Sequence, residues 1–164
     1  MGQARYFGKL DVANAYNQVP LEESSHPLTA VIIKDRHVEY TVVPFGVMNA
    51  PRHFQGIMDD LFRGVEGVKC WQDDLLIFGA TFEEYLEVLT CVFSKFMQVG
   101  LKLNRKKCVF LAESVKFLGY VMDSKGYRPD PEKTKATSQM PVETQEQVRS
   151  FLGTVGFFAD CIPG

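Results

Sequence analysis

Hydrophobic and polar positions along the chain alternate in short runs, broken by two longer stripes at helical spacing. Residues 5–12 read as a strand ending at Asp11, and His37–Val43 (HVEYTVV) alternates polar and apolar as a half-buried strand does. Leu28–Ile33 (LTAVII) is its expected hairpin partner, with the turn at Lys34-Asp35-Arg36, and Pro44-Phe45-Gly46 ends the pair. A helix follows from Pro51, a residue suited to a first helical turn. Its stripe is Phe54, Ile57, Met58, Leu61, Phe62 and Val65, with Gly64 and Gly67 loosening its end. Val68–Trp71 and Leu75–Phe78 then form a hairpin tipped by Gln72-Asp73-Asp74. A second helix opens at Thr81, where Thr81 and Glu84 have capping-box spacing. It carries Phe82, Leu86, Leu89, Val92, Phe93, Phe96 and Met97, and closes at Gly100. Strands are expected at Cys108–Leu111 and Val115–Met122. Helical starts follow at Asp130-Pro131 and at Thr144, paired with Gln147 in a second capping box. Gly, Pro and charge gather at Ser124–Pro131, the expected subdomain boundary. This order predicts an α+β fold, a mainly antiparallel sheet with helices on one face.

Composition adds limits. The chain has 164 residues, 46% hydrophobic and 23% charged, enough for one ordinary core. No apolar run approaches the roughly 20 residues of a membrane span, and the N-terminus lacks a signal-peptide pattern, so no membrane partner is expected. Cys70, Cys91, Cys108 and Cys161 form no CxxC pair and no metal spacing with His26, His37 or His53. They read as free thiols of an intracellular protein. Net charge is −2, yet Lys95–Lys135 holds ten Lys or Arg against four acids. A basic half beside an acidic centre suits a protein that holds a polyanion on one surface and metal on another.

The candidate chemistry lies in the acids. Asp73-Asp74 between apolar strands is costly unless something cationic meets it, and Asp11 also ends a strand. Three carboxylates at strand ends are expected to converge on Mg²⁺, which takes one or two carboxylates plus substrate phosphates.

LDVANAYNQVPL, VPFGVMNAPRHFQGIMDDLF, WQDDLLIF, GLKLNRKKC and VKFLGYV stand in the order found in reverse transcriptases. The chain most nearly resembles those of gypsy-type LTR retrotransposons. Its tail (RPDPEKTKA, VRSFLGTVGFF and IPG) resembles their thumb region. The resemblance implies a ferredoxin-like polymerase palm over residues 1–20 and 45–123. Part of the fingers would lie at 21–44 and the start of the thumb or connection at 124–164. It implies RNA- or DNA-templated DNA synthesis with two Mg²⁺ ions, or Mn²⁺ in their place, on template-primer and deoxynucleoside triphosphates. Asp11, Asp73 and Asp74 would be the catalytic metal ligands, with Val12 beside them. Val12, Ala13, Asn14 and Ala15 would present backbone amides to the triphosphate. Tyr16 would exclude a ribose 2′-hydroxyl, Phe45 and Gly46 would wall the nucleotide, and Lys102 would give a proton to pyrophosphate. Phe117, Leu118, Gly119 and Tyr120 would form the hairpin that grips the primer end, while Gln55 resembles an FQ element of the family.

Departures accompany the match. Trp71 stands where the family usually has Tyr, followed by Gln72, and is expected either to fit or to displace the hairpin tip. Ala136–Met140 is more polar than the family's helix, and the end of the chain lacks a basic pair. The resemblance also implies a fingers segment before Met1 and a ribonuclease H domain downstream, both parts of a longer polyprotein. An inactive fragment or decayed, domesticated remnant is the competing expectation. A two-metal cyclase or nuclease on a similar core stands further behind.

Overall fold

The computed structural model describes residues 3–161, so the IPG end of the chain lies outside the description. β1 (Tyr6–Asp11), α1 (Ala50–Leu61), β4 (Val68–Trp71), β5 (Asp74–Gly79), α2 (Phe82–Val99) and β6 (Val109–Ala112) build the central unit. Its antiparallel sheet has the order β4-β5-β1-β6, which makes a β-α-β-β-α-β ferredoxin-like arrangement. The predicted α+β class and the antiparallel sheet are therefore realised.

Strand alternation sorts side chains to two faces. Leu10, Leu75 and Ile77 join Phe54, Met58 and Phe62 of the α1 segment, and Tyr85, Val92 and Phe96 of α2, in the main core. On the other face, Phe7 and Leu76 pack with Val115 and Phe117. Further along that second face, Lys9 and Asp11 stand beside Asp74 in register. Asp11 and Asp74 thus lie opposite one another at the end of the β1–β5 pairing.

Capping follows the sequence with one change. Thr81 accepts from the Glu84 N–H at 3.2 Å, but the Glu84 carboxylate reaches back to the Ala80 N–H rather than to Thr81. The α2 stripe is also turned: Tyr85 is buried, whereas Phe82, Leu86 and Met97 are exposed. Tyr85 takes the inner position because its hydroxyl accepts from the Leu111 N–H at 3.0 Å, giving the buried phenol a partner. Gly8 leaves room for it, since a Cβ there would meet the Tyr85 hydroxyl at 2.5 Å.

Three strand expectations change. β2 (Val31–Ile33) and β3 (Arg36–Val38) form a short exposed hairpin, turning at Lys34 and Asp35 with φ of 47° and 62°. Thr41 and Val43 leave that hairpin to bond the Val19–Leu21 segment: Leu21 donates to Thr41 and Val19 accepts from Val43, each at 3.0 Å. The run expected as one strand at 115–122 is two, β7 (Ser114–Phe117) and β8 (Tyr120–Asp123), turning at Leu118 and Gly119. β9 (Gly126–Pro129) extends this to a three-stranded meander inside the expected boundary. The tail forms α3 (Pro131–Ser138) and α4 (Gln145–Phe157), with the Thr144–Gln147 capping box present.

Candidate active site

Asp11 closes β1 and is 6% exposed. A carboxylate so buried needs a cation or donors, and the Lys107 ammonium supplies one at 3.2 Å. The contact, first through the hydrogen bond and then through charge, raises the Lys107 pKa above its ordinary value. Asp74 lies opposite Asp11 in register and pairs with Lys9 at 2.8 Å. Asp73 sits in the β4–β5 turn, and its carbonyl accepts from the Val12 N–H at 2.8 Å. The turn is thereby stitched to the strand that carries Asp11.

The hairpin has a two-residue connection, with Trp71 paired to Asp74 across it and Gln72 at φ 53°. Its position is fixed from below by α1. Gln55 Oε1 accepts from the Gln72 N–H at 2.6 Å, while Gln55 Nε2 donates to the Cys70 carbonyl at 3.4 Å and to Asp59 at 2.7 Å. From the side, the Tyr16 hydroxyl donates to Gln72 Oε1 at 3.1 Å. The Tyr16 ring is wedged edge-on against Phe45 and Phe54, with centroids 5.7 and 5.9 Å away. Trp71 itself is 56% exposed, and its strand keeps regular pairing. The larger ring is accommodated at the surface, with the Trp71–Asp74 pairing at the tip formed.

A cleft of about 340 Å³ gathers Asp11, Val12 through Tyr16, Phe45 and Asp73, together with Asn104 and Lys107. Eight of the eleven residues singled out for metal and nucleotide therefore share one cavity. Gly46, Lys102 and Asp74 do not line it. The expectation for the loop amides narrows: the Val12 N–H is taken by Asp73 and the Ala13 N–H by Lys102, whose carbonyl accepts at 2.9 Å. Among the described residues, no acceptor meets the N–H groups of Asn14 and Ala15, which remain for an anion.

Lys102 serves through its backbone. Gln18 takes the Lys102 N–H at 2.7 Å, donates to its carbonyl at 3.0 Å, and also donates to the Ala13 carbonyl. The cation at the cleft is instead Lys107, which the sequence reading passed over. Asn104 explains why: its N–H bonds the Asp11 carbonyl at 2.8 Å, and its own carbonyl accepts from Lys107 at 3.0 Å. That turn swings Lys107 back over Asp11. Of the residues expected at the primer, Phe117 is 5% exposed and packs beneath the sheet, and Tyr120 donates to the Phe157 carbonyl at 2.8 Å. Leu118 and Gly119, at φ 49° and 82°, form the exposed turn.

The donor set suits a hard divalent cation. The acids already draw two ammonium ions, and their oxygens match the preference of Mg²⁺. The expected cluster of three convergent carboxylates is not formed: among the described residues, no three His, Cys, Asp or Glu side chains stand close enough to hold a metal. Asp74 turns to Lys9, leaving Asp11 and Asp73 at the cleft. The Cys70 thiol behind the tip is pushed up to about 12, by burial first and then by Asp59, Asp73 and Asp74. It stays a neutral structural group at ordinary pH.

Residues 1–122 match the family described as Reverse transcriptase (RNA-dependent DNA polymerase). The chain belongs to the reverse transcriptase family. It is 36% identical over 166 residues to the retrovirus-related Pol polyprotein from transposon 297 of Drosophila melanogaster, covering 99% of this chain and 16% of that polyprotein. Against the corresponding polyprotein from the Drosophila melanogaster transposon gypsy it is 30% identical, over 96% of this chain and 16% of the relative. Its fold matches a foamy viral protease-reverse transcriptase solved in complex with double-stranded DNA. That match has a TM-score of 0.87 at 25% identity, covering 94% of this chain and 28% of the other. The chain thus spans about a sixth of the polyproteins it resembles. Among the described residues, no helix of this reverse transcriptase segment is long and apolar enough to cross a membrane.

Proposed function

We propose that this chain is the palm, with part of the fingers and the start of the thumb, of an intracellular retroelement polymerase. Its reaction is DNA synthesis on an RNA or DNA template, with the fingers and ribonuclease H parts supplied by a longer polyprotein. The single observation that carries this reading is the cleft that joins Asp11 and Asp73 to Tyr16, Phe45 and the Asn14–Ala15 amides. Carboxylates, unpaired amides and an aromatic wall are what a nucleoside triphosphate needs in one place.

Mg²⁺, or Mn²⁺ in its place, would be held by Asp11 and Asp73, with Asp74 and the Val12 carbonyl beside them. It would supply charge stabilisation to the attacking and leaving oxygens of an in-line phosphoryl transfer. The chain's own residues do the rest. The Asn14 and Ala15 N–H groups receive triphosphate oxygens as a backbone anion site. Tyr16, fixed between Phe45 and Phe54, faces the sugar and closes the space a 2′-hydroxyl would need. The primer 3′-hydroxyl attacks the α-phosphate, and pyrophosphate leaves past Lys107, whose ammonium neutralises it and has a proton to give. That role, expected for Lys102, falls to Lys107 because only Lys107 reaches the cleft.

The test is primer extension on a primed RNA template, with the chain joined to a family fingers segment. Asp73→Asn is expected to reduce incorporation by at least about a hundredfold, the scale on which removal of one transition-state electrostatic contact acts. Extension that survives the substitution would falsify the site assignment.

A further inference from the structure

The contact between Tyr16 and Gln72 joins two parts of the site that otherwise do different work. Tyr16 belongs to the loop after β1 and faces the sugar pocket. Gln72 belongs to the turn that carries Asp73. The Tyr16 hydroxyl donates to Gln72 Oε1 at 3.1 Å across 56 residues of chain. Gln72 can hold this position because its own backbone is fixed: φ is 53°, and its N–H is taken by Gln55 at 2.6 Å. The left-handed turn aims the side chain toward Tyr16 while α1 prevents the backbone from following it. The link holds for either orientation of the Gln72 amide, since a phenol both donates and accepts.

The ring's remaining freedom is already small. Phe45 and Phe54 meet it edge-on at 70° and 86°, which restrains sideways movement. Neither contact stops the hydroxyl end from swinging, because both are apolar. Among the described residues, only the Gln72 amide bonds that end. An apolar side chain at residue 72 would leave the hydroxyl free to turn toward water and the ring free to yield to a 2′-hydroxyl.

We infer that Gln72 is a specificity-determining positioning residue. It tethers the Tyr16 hydroxyl to the metal-bearing turn and so enforces discrimination between deoxyribonucleoside and ribonucleoside triphosphates. This rests on the polymerase reading above. It adds that sugar selection and turn geometry are one coupled unit, with Gln55 as its foundation.

The chain carries its own reporter. Trp71 is the only tryptophan, adjoins Gln72 and is half exposed. Its fluorescence is followed while dCTP or CTP is titrated, with Mg²⁺ present, into the unsubstituted chain, Tyr16→Phe, Gln72→Leu and the double variant. Each single substitution removes the same hydrogen bond from opposite ends. Each is therefore expected to lower the dCTP-to-CTP affinity ratio by about threefold to tenfold, the range of one net hydrogen bond. The double variant is expected to lower it no further, because the two share one interaction. Gln72→Glu keeps an acceptor for the hydroxyl and is expected to retain the ratio. A ratio unchanged in Gln72→Leu but lowered in Tyr16→Phe, or additive losses in the double variant, overturns the tether. A Trp71 response to neither nucleotide in the unsubstituted chain overturns the polymerase-site reading itself, and the tether with it. Thermal midpoints of the five proteins separate a lost ratio from lost folding.

Discussion

Asp11 is one of two buried carboxylates among the described residues, and what meets it is an ammonium on a flexible stem. The Asp11 side chain is 8% exposed while that of Lys107 is 63% exposed, so the lysine can withdraw when another cation arrives. Lys107→Met leaves the carboxylate with no cation. The thermal midpoint is expected to fall without divalent metal, and Mg²⁺ is expected to restore more of it than it adds to the unsubstituted chain. Equal Mg²⁺ effects on the two proteins, measured by thermal unfolding, would show that Asp11 does not meet the ion. The acids were legible in the sequence because apolar strands flanked them and made their charge expensive. Lys107 was not. Lys102 and Lys107 lie in the same basic run, and only the hydrogen-bonded turn at Asn104 decides which ammonium reaches the cleft.

At the scale of elements, the helices, the acidic hairpin and the turn at Lys34-Asp35 followed from periodicity, capping and turn residues, whereas the turn at Leu118-Gly119 came only with the resemblance to the family. Leu118 adopts φ 49° without being Gly, Asn or Asp, so Val115–Met122 read as one strand when it is two. The α2 face was misplaced for a related reason. Tyr85 is buried for the sake of a hydrogen bond that periodicity cannot see. Tyr85→Phe removes the acceptor of the Leu111 N–H, and Leu111 is half exposed, so water replaces part of the loss. A cost of about 1 kcal/mol in denaturant unfolding is expected; no change would mean that the phenol is held by packing alone.

The start of α3 carries a pH dependence. Asp130 caps it by accepting from the Glu132 N–H at 3.0 Å and pairs with Lys116 at 3.1 Å. These contacts, the backbone bond first, hold its pKa below the ordinary carboxylate value. A depressed carboxylate stabilises the fold above its unfolded pKa of about 3.9 and loses that contribution as pH falls through the lower folded value. Amide exchange corrected for intrinsic rates is therefore expected to show α3 protected at pH 6 and loosened near pH 3. Asp130→Asn should remove most of that difference. Protection of α3 that is equal at both pH values would contradict the role given to Asp130.

For the whole molecule, the ferredoxin-like sheet places the end that bears its acids beside the Tyr16 loop and the α1-braced hairpin. Fold class and site were readable because the strand ends and the apolar faces point to the same place. The β2–β3 hairpin was less readable, since all of its residues are exposed and no core fixes its length. The expectation of a ready-made three-carboxylate cluster also failed: alternation puts Asp11 and Asp74 on one face, but Lys9 on the same strand as Asp11 claims Asp74. On the proposed function, this end of the sheet is a divalent-cation site completed by a nucleotide. Its most direct test is Mn²⁺ binding to the 164-residue chain, read by electron paramagnetic resonance with and without dCTP. Binding is expected to strengthen with dCTP and to be lost in both Asp11→Asn and Asp73→Asn; binding that is unchanged in the two variants would contradict the proposed site.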